Sequence, residues 1–193
     1  MSHISKKPIL VTLALPIYIP SILMMIGSGA VMLVIPLLAI DLTNNYGAAS
    51  LAFAMLGVGT LISDIPAGIL VSRLGIRRSM VLGILILFMS TFLAALVSSV
   101  FFLGMVGFFL GAGRGIIMLA RITYISETTE GERGRAMSAV GGSMRIGALF
   151  GPIMGGFLIK YAGFQVTMIV SSVIIALAFG FVPFLKQSET DFV

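Results

Sequence analysis

Residues 67–78 read AGILVSRLGIRR, placing three arginines, Arg73, Arg77 and Arg78, within six positions of a chain in which only 10% of residues are charged. On either side the sequence is apolar over runs of about 20 residues, enough to cross a bilayer as a helix. A short basic loop between two such runs reads as a helical hairpin whose turn stays on the cytoplasmic side. That reading sets the fold class: an all-α membrane protein.

The rest of the composition agrees. The 193 residues are 59% hydrophobic, with 23 Gly and 13 Met. Mean hydropathy is +1.16. A net charge of +5 would suit nucleic acid only if basic side chains were interleaved with polar or stacking residues on a solvated face; here they sit mostly in short connectors, so no nucleic-acid partner is expected. The absence of cysteine rules out a disulfide framework or a thiolate metal site. The single histidine, His3, lies in the N-terminal tail.

Windows of roughly 19 residues place six transmembrane helices near 18–40, 48–71, 79–98, 101–124, 136–159 and 164–185. Short connectors such as DLTNNYG and KYAG make sequential helices antiparallel neighbours. The expected organisation is therefore a cytoplasmic or interfacial segment over 1–17, a transmembrane domain over 18–186 and a cytoplasmic tail over 187–193. Pro8, Pro16 and Pro20 argue against one helix running from 8 to 40. The apolar run after Lys6 and Lys7 lacks a small-residue cleavage site, so a cleaved signal peptide is not expected. Lys6, Lys7, Arg73, Arg77, Arg78, Arg133, Arg135 and Lys186 fall on one side and only Lys160 on the other, which puts both termini in the cytoplasm. Tyr46 and Tyr161 mark outer helix ends and Tyr124 an inner one.

Charge explains the arginines of the opening stretch but not the glycines around them. GILVSRLGIRR resembles the loop motif of the major facilitator superfamily: a Gly, three residues, an Asp, a basic residue, any residue, a Gly, then basic residues. GALFGPIMGG, with Gly147, Gly151, Pro152, Gly155 and Gly156, resembles the fifth-helix G-x-x-x-G-P-x-x-G-G pattern of proton-coupled exporters in that superfamily. LARITYISETTEGERGRAMSAVGGSMRIG is similar to the fourth-to-fifth connector of its drug-efflux members. These segments lie between residues 68 and 156; the resemblance they carry extends over residues 20 to 186 and implies the N-terminal six-helix half of a twelve-helix transporter, built as two three-helix repeats.

The resemblance implies a cytoplasmic gate at Gly68, Ser72, Arg73, Gly75, Arg77 and Arg78. Physically, Gly68 would allow close helix packing and Gly75 a tight turn, while the arginines can meet helix C-termini or acidic headgroups. Two departures stand out. Ser72 occupies the family's Asp position, and Ile76 its first basic position after the second Gly. In the fourth helix, Gly107 replaces an arginine usual four residues before Gly111. In the fifth helix, Gly147, Gly151 and Gly155 form a small-xxx-small stripe, and Pro152 can bend the helix beside it; a plain packing seam and a moving one share this pattern.

Charges within spans face a cavity or a partner. Asp64, Arg114, Arg121 and Arg145 are the candidates; by the rise per residue, Arg114 and Arg145 lie deep, Asp64 about two turns in, and Arg121 near enough to the surface to snorkel. Two readings follow: Asp64 exchanges a proton or a partner, with Arg114 or Arg145 stabilising its ionised form, or a permanent ionic network staples the second, fourth and fifth helices. Arg114 on a cavity wall would favour an anionic or zwitterionic substrate. Ser28, Met32 and Pro36 in the first span are cavity candidates by the resemblance, and Met-rich spans can supply an adaptable wall.

The function expected is a secondary transporter exporting small organic molecules against a proton gradient, in the plasma or inner membrane. It needs no cofactor and no metal. Its partners are the lipid bilayer, a small-molecule substrate, and either a C-terminal six-helix half or a second copy of the chain. A non-transporting scaffold or assembly subunit, and a half-size homodimeric transporter, are the rivals. A channel would call for a polar ring, and an enzyme for a nucleophile, base and orienter set; the sequence offers neither.

Overall fold

The structure, a computed structural model, describes residues 17–129 and 131–184. It is all-helical among those residues. Five helices are long and apolar enough to cross a membrane: α1 (Ile19–Thr43), α2 (Tyr46–Leu74), α3 (Ile76–Ala94), α4 (Val100–Thr128) and α5 (Arg133–Leu177), followed by a 3₁₀ segment, Ala178–Phe184.

Each turn has a local cause. The α1–α2 turn rests on two asparagines: Asn44 takes a left-handed conformation and its N–H donates to Ile40 O, while Asn45 Oδ1 accepts from the N–H groups of Gly47 and Ala48 at 2.8 and 3.3 Å. Such a cap satisfies N–H groups that the first helical turn leaves orphaned. At the α2–α3 junction Gly75 has φ 80°, where a Cβ would be strained, so the expected tight turn is made. Helix α3 ends at Ala94, four residues earlier than the hydropathy pattern suggests, because Ala95 and Leu96 close tight turns onto Phe92 and Leu93. Hydropathy registers SSV as only a brief polar interruption; the backbone has already turned.

Helix α5 is interrupted at Gly163, where φ is 81° and ψ 175°. A straight helix would separate Gly151 from Ile175 by about 36 Å. Yet Gly151 packs on Gly29 and Ile175 on Gly27, two residues apart in α1. The chain therefore doubles back at Gly163, and two arms, 133–162 and 164–177, both lie against α1. The expected fifth span begins a few residues early, at Arg133, and the break falls at the glycine of KYAG.

Three glycine seams hold the bundle together: α1–α5, α2–α4, and α3–α4, where a Cβ at Gly113 would sit 3.0 Å from Gly83 O. In the α1–α5 seam a Cβ at Gly151 would come within 2.7 Å of Ile26 O and 2.9 Å of Gly29 Cα; one at Gly155 would sit 3.0 Å from Ala30 Cα. In the α2–α4 seam a Cβ at Gly59 would overlap the carbonyl of Phe108, and one at Gly111 the carbonyl of Leu56. The Thr60 hydroxyl lies 3.2 Å from Gly111 O across this seam. Where lipid removes the hydrophobic drive for helix association, such close backbone approach supplies the packing. Several hydroxyls within helices serve their own backbone: Ser79 donates to Gly75 O at 2.7 Å and Thr91 to Leu87 O at 2.8 Å.

Of the expected N-terminal segment, 1–16 lie outside the described residues, as does the tail over 187–193; Ile17 is fully buried against the bundle.

Candidate functional site

Between α1, α2 and α4 the bundle opens into a cleft of about 920 Å³. Helix α1 contributes Met24, Met25, Ser28 and Met32; α2 contributes Leu56, Gly57, Thr60, Leu61 and Asp64. Helix α4 presents Arg114, Met118 and Arg121, and α5 reaches in with Met144. The positions 114, 118 and 121 follow one face of a helix at i, i+4 and i+7. Ser28, Met32, Asp64 and Arg114 all line this cleft.

The guanidinium groups meet sulfur rather than carboxylate. Arg114 Nη1 donates to Met32 Sδ at 2.8 Å, and Arg121 Nη1 to Met144 Sδ at 3.2 Å. A thioether is a weak acceptor, so neither contact neutralises its cation. Among the described residues the only ion pair joins Arg135 to Glu132, at 3.6 Å. The ionic staple between Asp64 and the span arginines is therefore not formed: Asp64 is exposed on the cleft wall, and Arg114 is half-buried.

Two further expectations change. Arg121 does not snorkel. It is only 4% exposed, and its Nε has no hydrogen-bond partner among the described residues. Distance from the helix end gave its depth but not its direction, and the α4 face it occupies turns inward. Arg145 is exposed on α5 and does not line the cleft; Ser143 and Gly147 are its buried neighbours on that helix, and the arginine points away from the packed face. Pro36, half-buried inside α1, is likewise off the cleft.

Sequence reasoning counted Arg121 among the span charges but set it near the surface, and it missed Met144 as a cleft residue. The 114–118–121 spacing could have revealed the cleft position of Arg121. Nothing local marks Met144, which reaches the cleft only through the packing of α5.

At the basic turn, Arg73 and Arg78 are exposed and Arg77 half-buried. The Ser72 hydroxyl donates to its own helix at Ile69 O, 3.0 Å away. Ile76 is 2% exposed and belongs to the core, which accounts for an apolar residue where a basic one is usual. The close packing expected of Gly68 is not made: a Cβ there would meet only Leu119 Cδ2, at 3.9 Å. Gly156 is similar, with only Leu33 Cδ2 at 3.8 Å, whereas Gly147, Gly151 and Gly155 are all tightly enclosed.

The sequence profile of the Major Facilitator Superfamily matches residues 17–191. The chain belongs to that superfamily. Among superfamily relatives, the chain is 30% identical to the synaptic vesicular amine transporter of Mus musculus over 139 residues, 71% of this chain and 27% of that protein. It is 34% identical to multidrug resistance protein 2 of Bacillus subtilis over 119 residues, 60% of this chain and 28% of that protein. An uncharacterized transporter of Buchnera aphidicola is 28% identical over 151 residues, 72% of this chain and 38% of that protein. The chain thus spans well under half the length of these relatives. Superfamily membership places it with multi-pass membrane transporters rather than enzymes.

Proposed function

We propose that this chain forms the N-terminal half of a secondary transporter that exports small organic molecules by alternating access, driven by a proton gradient. The open cleft carries the reading: a cavity of about 920 Å³ walled by α1, α2 and α4, with Asp64, Arg114 and Arg121 on its surface. In transporters of this architecture the substrate site lies between two halves. A second six-helix half, or a second copy of this chain, completes the other wall.

The six-span, two-repeat reading is part of the proposal. Taking the arms of α5 as the fifth and sixth spans, an inverted repeat relates the first helix to the fourth and the second to the fifth. It therefore relates the α1–α5 contact to the α2–α4 contact. Both contacts are built on glycine against backbone, as is the α3–α4 contact between Gly83 and Gly113. The basic turn at Gly75 then lies on the cytoplasmic side with both termini, where Arg73, Arg77 and Arg78 gate the inner mouth.

The test is flux through proteoliposomes under an imposed pH gradient, with this chain and with any longer product of its gene. Substrate release coupled to proton entry is the expected result, and no pH-linked flux from either form overturns the proposal. Asp64 is the proton carrier in this scheme. Replacing it with Asn should abolish the pH dependence of flux; an unchanged pH profile removes Asp64 from that role.

A further inference from the structure

Arg114 and Arg121 lie on one face of α4, about 10 Å apart along its axis. Both line the same cleft, and among the described residues each engages only a methionine sulfur. Arg121 is almost completely buried, and its Nε has no partner among the described residues. Asp64 is the only acidic side chain on the cleft wall, and it makes no ion pair among the described residues. With Asp64 ionised, the cleft carries one net positive charge.

A buried guanidinium held only by thioethers keeps most of the cost of its lost hydration. Arginine donors arranged in a planar fork suit a carboxylate, with which they make short charge-assisted bonds. The methionines around them supply a pliable apolar wall for the rest of a ligand: Met24, Met25, Met32, Met118 and Met144. We infer that the cleft binds organic anions, an aromatic or aliphatic body carrying a carboxylate, with the charged group drawn to Arg114 and Arg121. The mouse relative is named for amines, which would be cationic at neutral pH, so the charge selectivity proposed here is the reverse. This substrate class rests on the transporter reading above.

The test is equilibrium binding to the full chain in detergent, with two probes of equal ring size and opposite charge: 2-naphthoate and 2-naphthylmethylammonium. Naphthoate should bind at least about tenfold more tightly, and R114M and R121M should each weaken it about tenfold or more, the range for hydrogen bonds to charged groups. R114K and R121K, which keep the charge but lose the fork, should recover part of the loss. Helical circular dichroism and monodispersity confirm that each variant folds. Equal or tighter binding of the cation overturns the inference, as does naphthoate affinity unchanged in both Met variants. Anion binding without pH-linked flux would leave this inference standing and remove the transport mechanism; pH-linked flux of a cation without anion binding would do the reverse.

Discussion

The glycine seams and the charged cleft occupy the same helices but are built on opposite principles. Helix α4 shows both: Gly107 and Gly111 press its backbone against α2, and within three to ten residues Arg114 and Arg121 line an opening. At a seam, two backbones touch and a single methyl group has nowhere to go. In the cleft, long flexible side chains face one another with room to shift. The first arrangement fixes where helices sit, and the second leaves the space between them adaptable. A protein that must hold its helices rigidly while accommodating a ligand needs both, and here they are divided along the length of individual helices.

The contrast can be broken most severely at the α2–α4 seam. Gly111→Ala drives a methyl into the Leu56 carbonyl and should cost about 3 kcal/mol, the upper range for overpacking, read from SDS titration of the helical circular dichroism signal. In the α1–α5 seam the contact at Gly151 is less extreme, 2.7 Å to Ile26 O, and Gly151→Ala should cost about 2 kcal/mol in the same titration. If either substitution proves neutral, the seams are looser than their geometry implies. On the cleft side, Met32→Leu and Met144→Leu keep volume while removing the sulfur acceptors of Arg114 and Arg121. Each should shift stability by under about 1 kcal/mol. Smallest of all is Gly156→Ala, whose methyl would meet only Leu33 Cδ2 at 3.8 Å; stability should change by no more than about 0.5 kcal/mol. A loss at Gly156 as large as at Gly151 would erase the distinction between the enclosed and open glycines of GALFGPIMGG.

Much of the architecture was legible in the chain. Hydropathy located the first four helices to within a few residues, because a backbone in lipid must satisfy its hydrogen bonds internally and is left with long apolar helices; the stretches expected as fifth and sixth spans fall in one long helix broken at Gly163. Turn chemistry was legible too, at Asn44, Asn45 and Gly75, where the left-handed conformation or the cap demands a particular residue type. The stripe Gly147, Gly151 and Gly155 was readable as a seam, since its spacing alone puts the three on one face.

What tertiary structure decided was direction and partner. From the sequence Arg114 and Arg145 read as deep charges and Arg121 as one near the membrane surface; packing turned Arg114 and Arg121 into the cleft and left Arg145 exposed. Depth along a helix follows from residue count, but the facing of a side chain depends on which neighbour the helix meets, and in nearly uniform apolar sequence no strong amphipathic stripe announces it. The same reason separates Gly156 and Gly68, which look like their motif companions, from the glycines that a neighbouring backbone encloses. An isolated chain of residues thus determined that this protein crosses a membrane and where it turns. Only the meeting of its helices determined which charges share a cavity, because that depends on contacts between positions far apart in sequence.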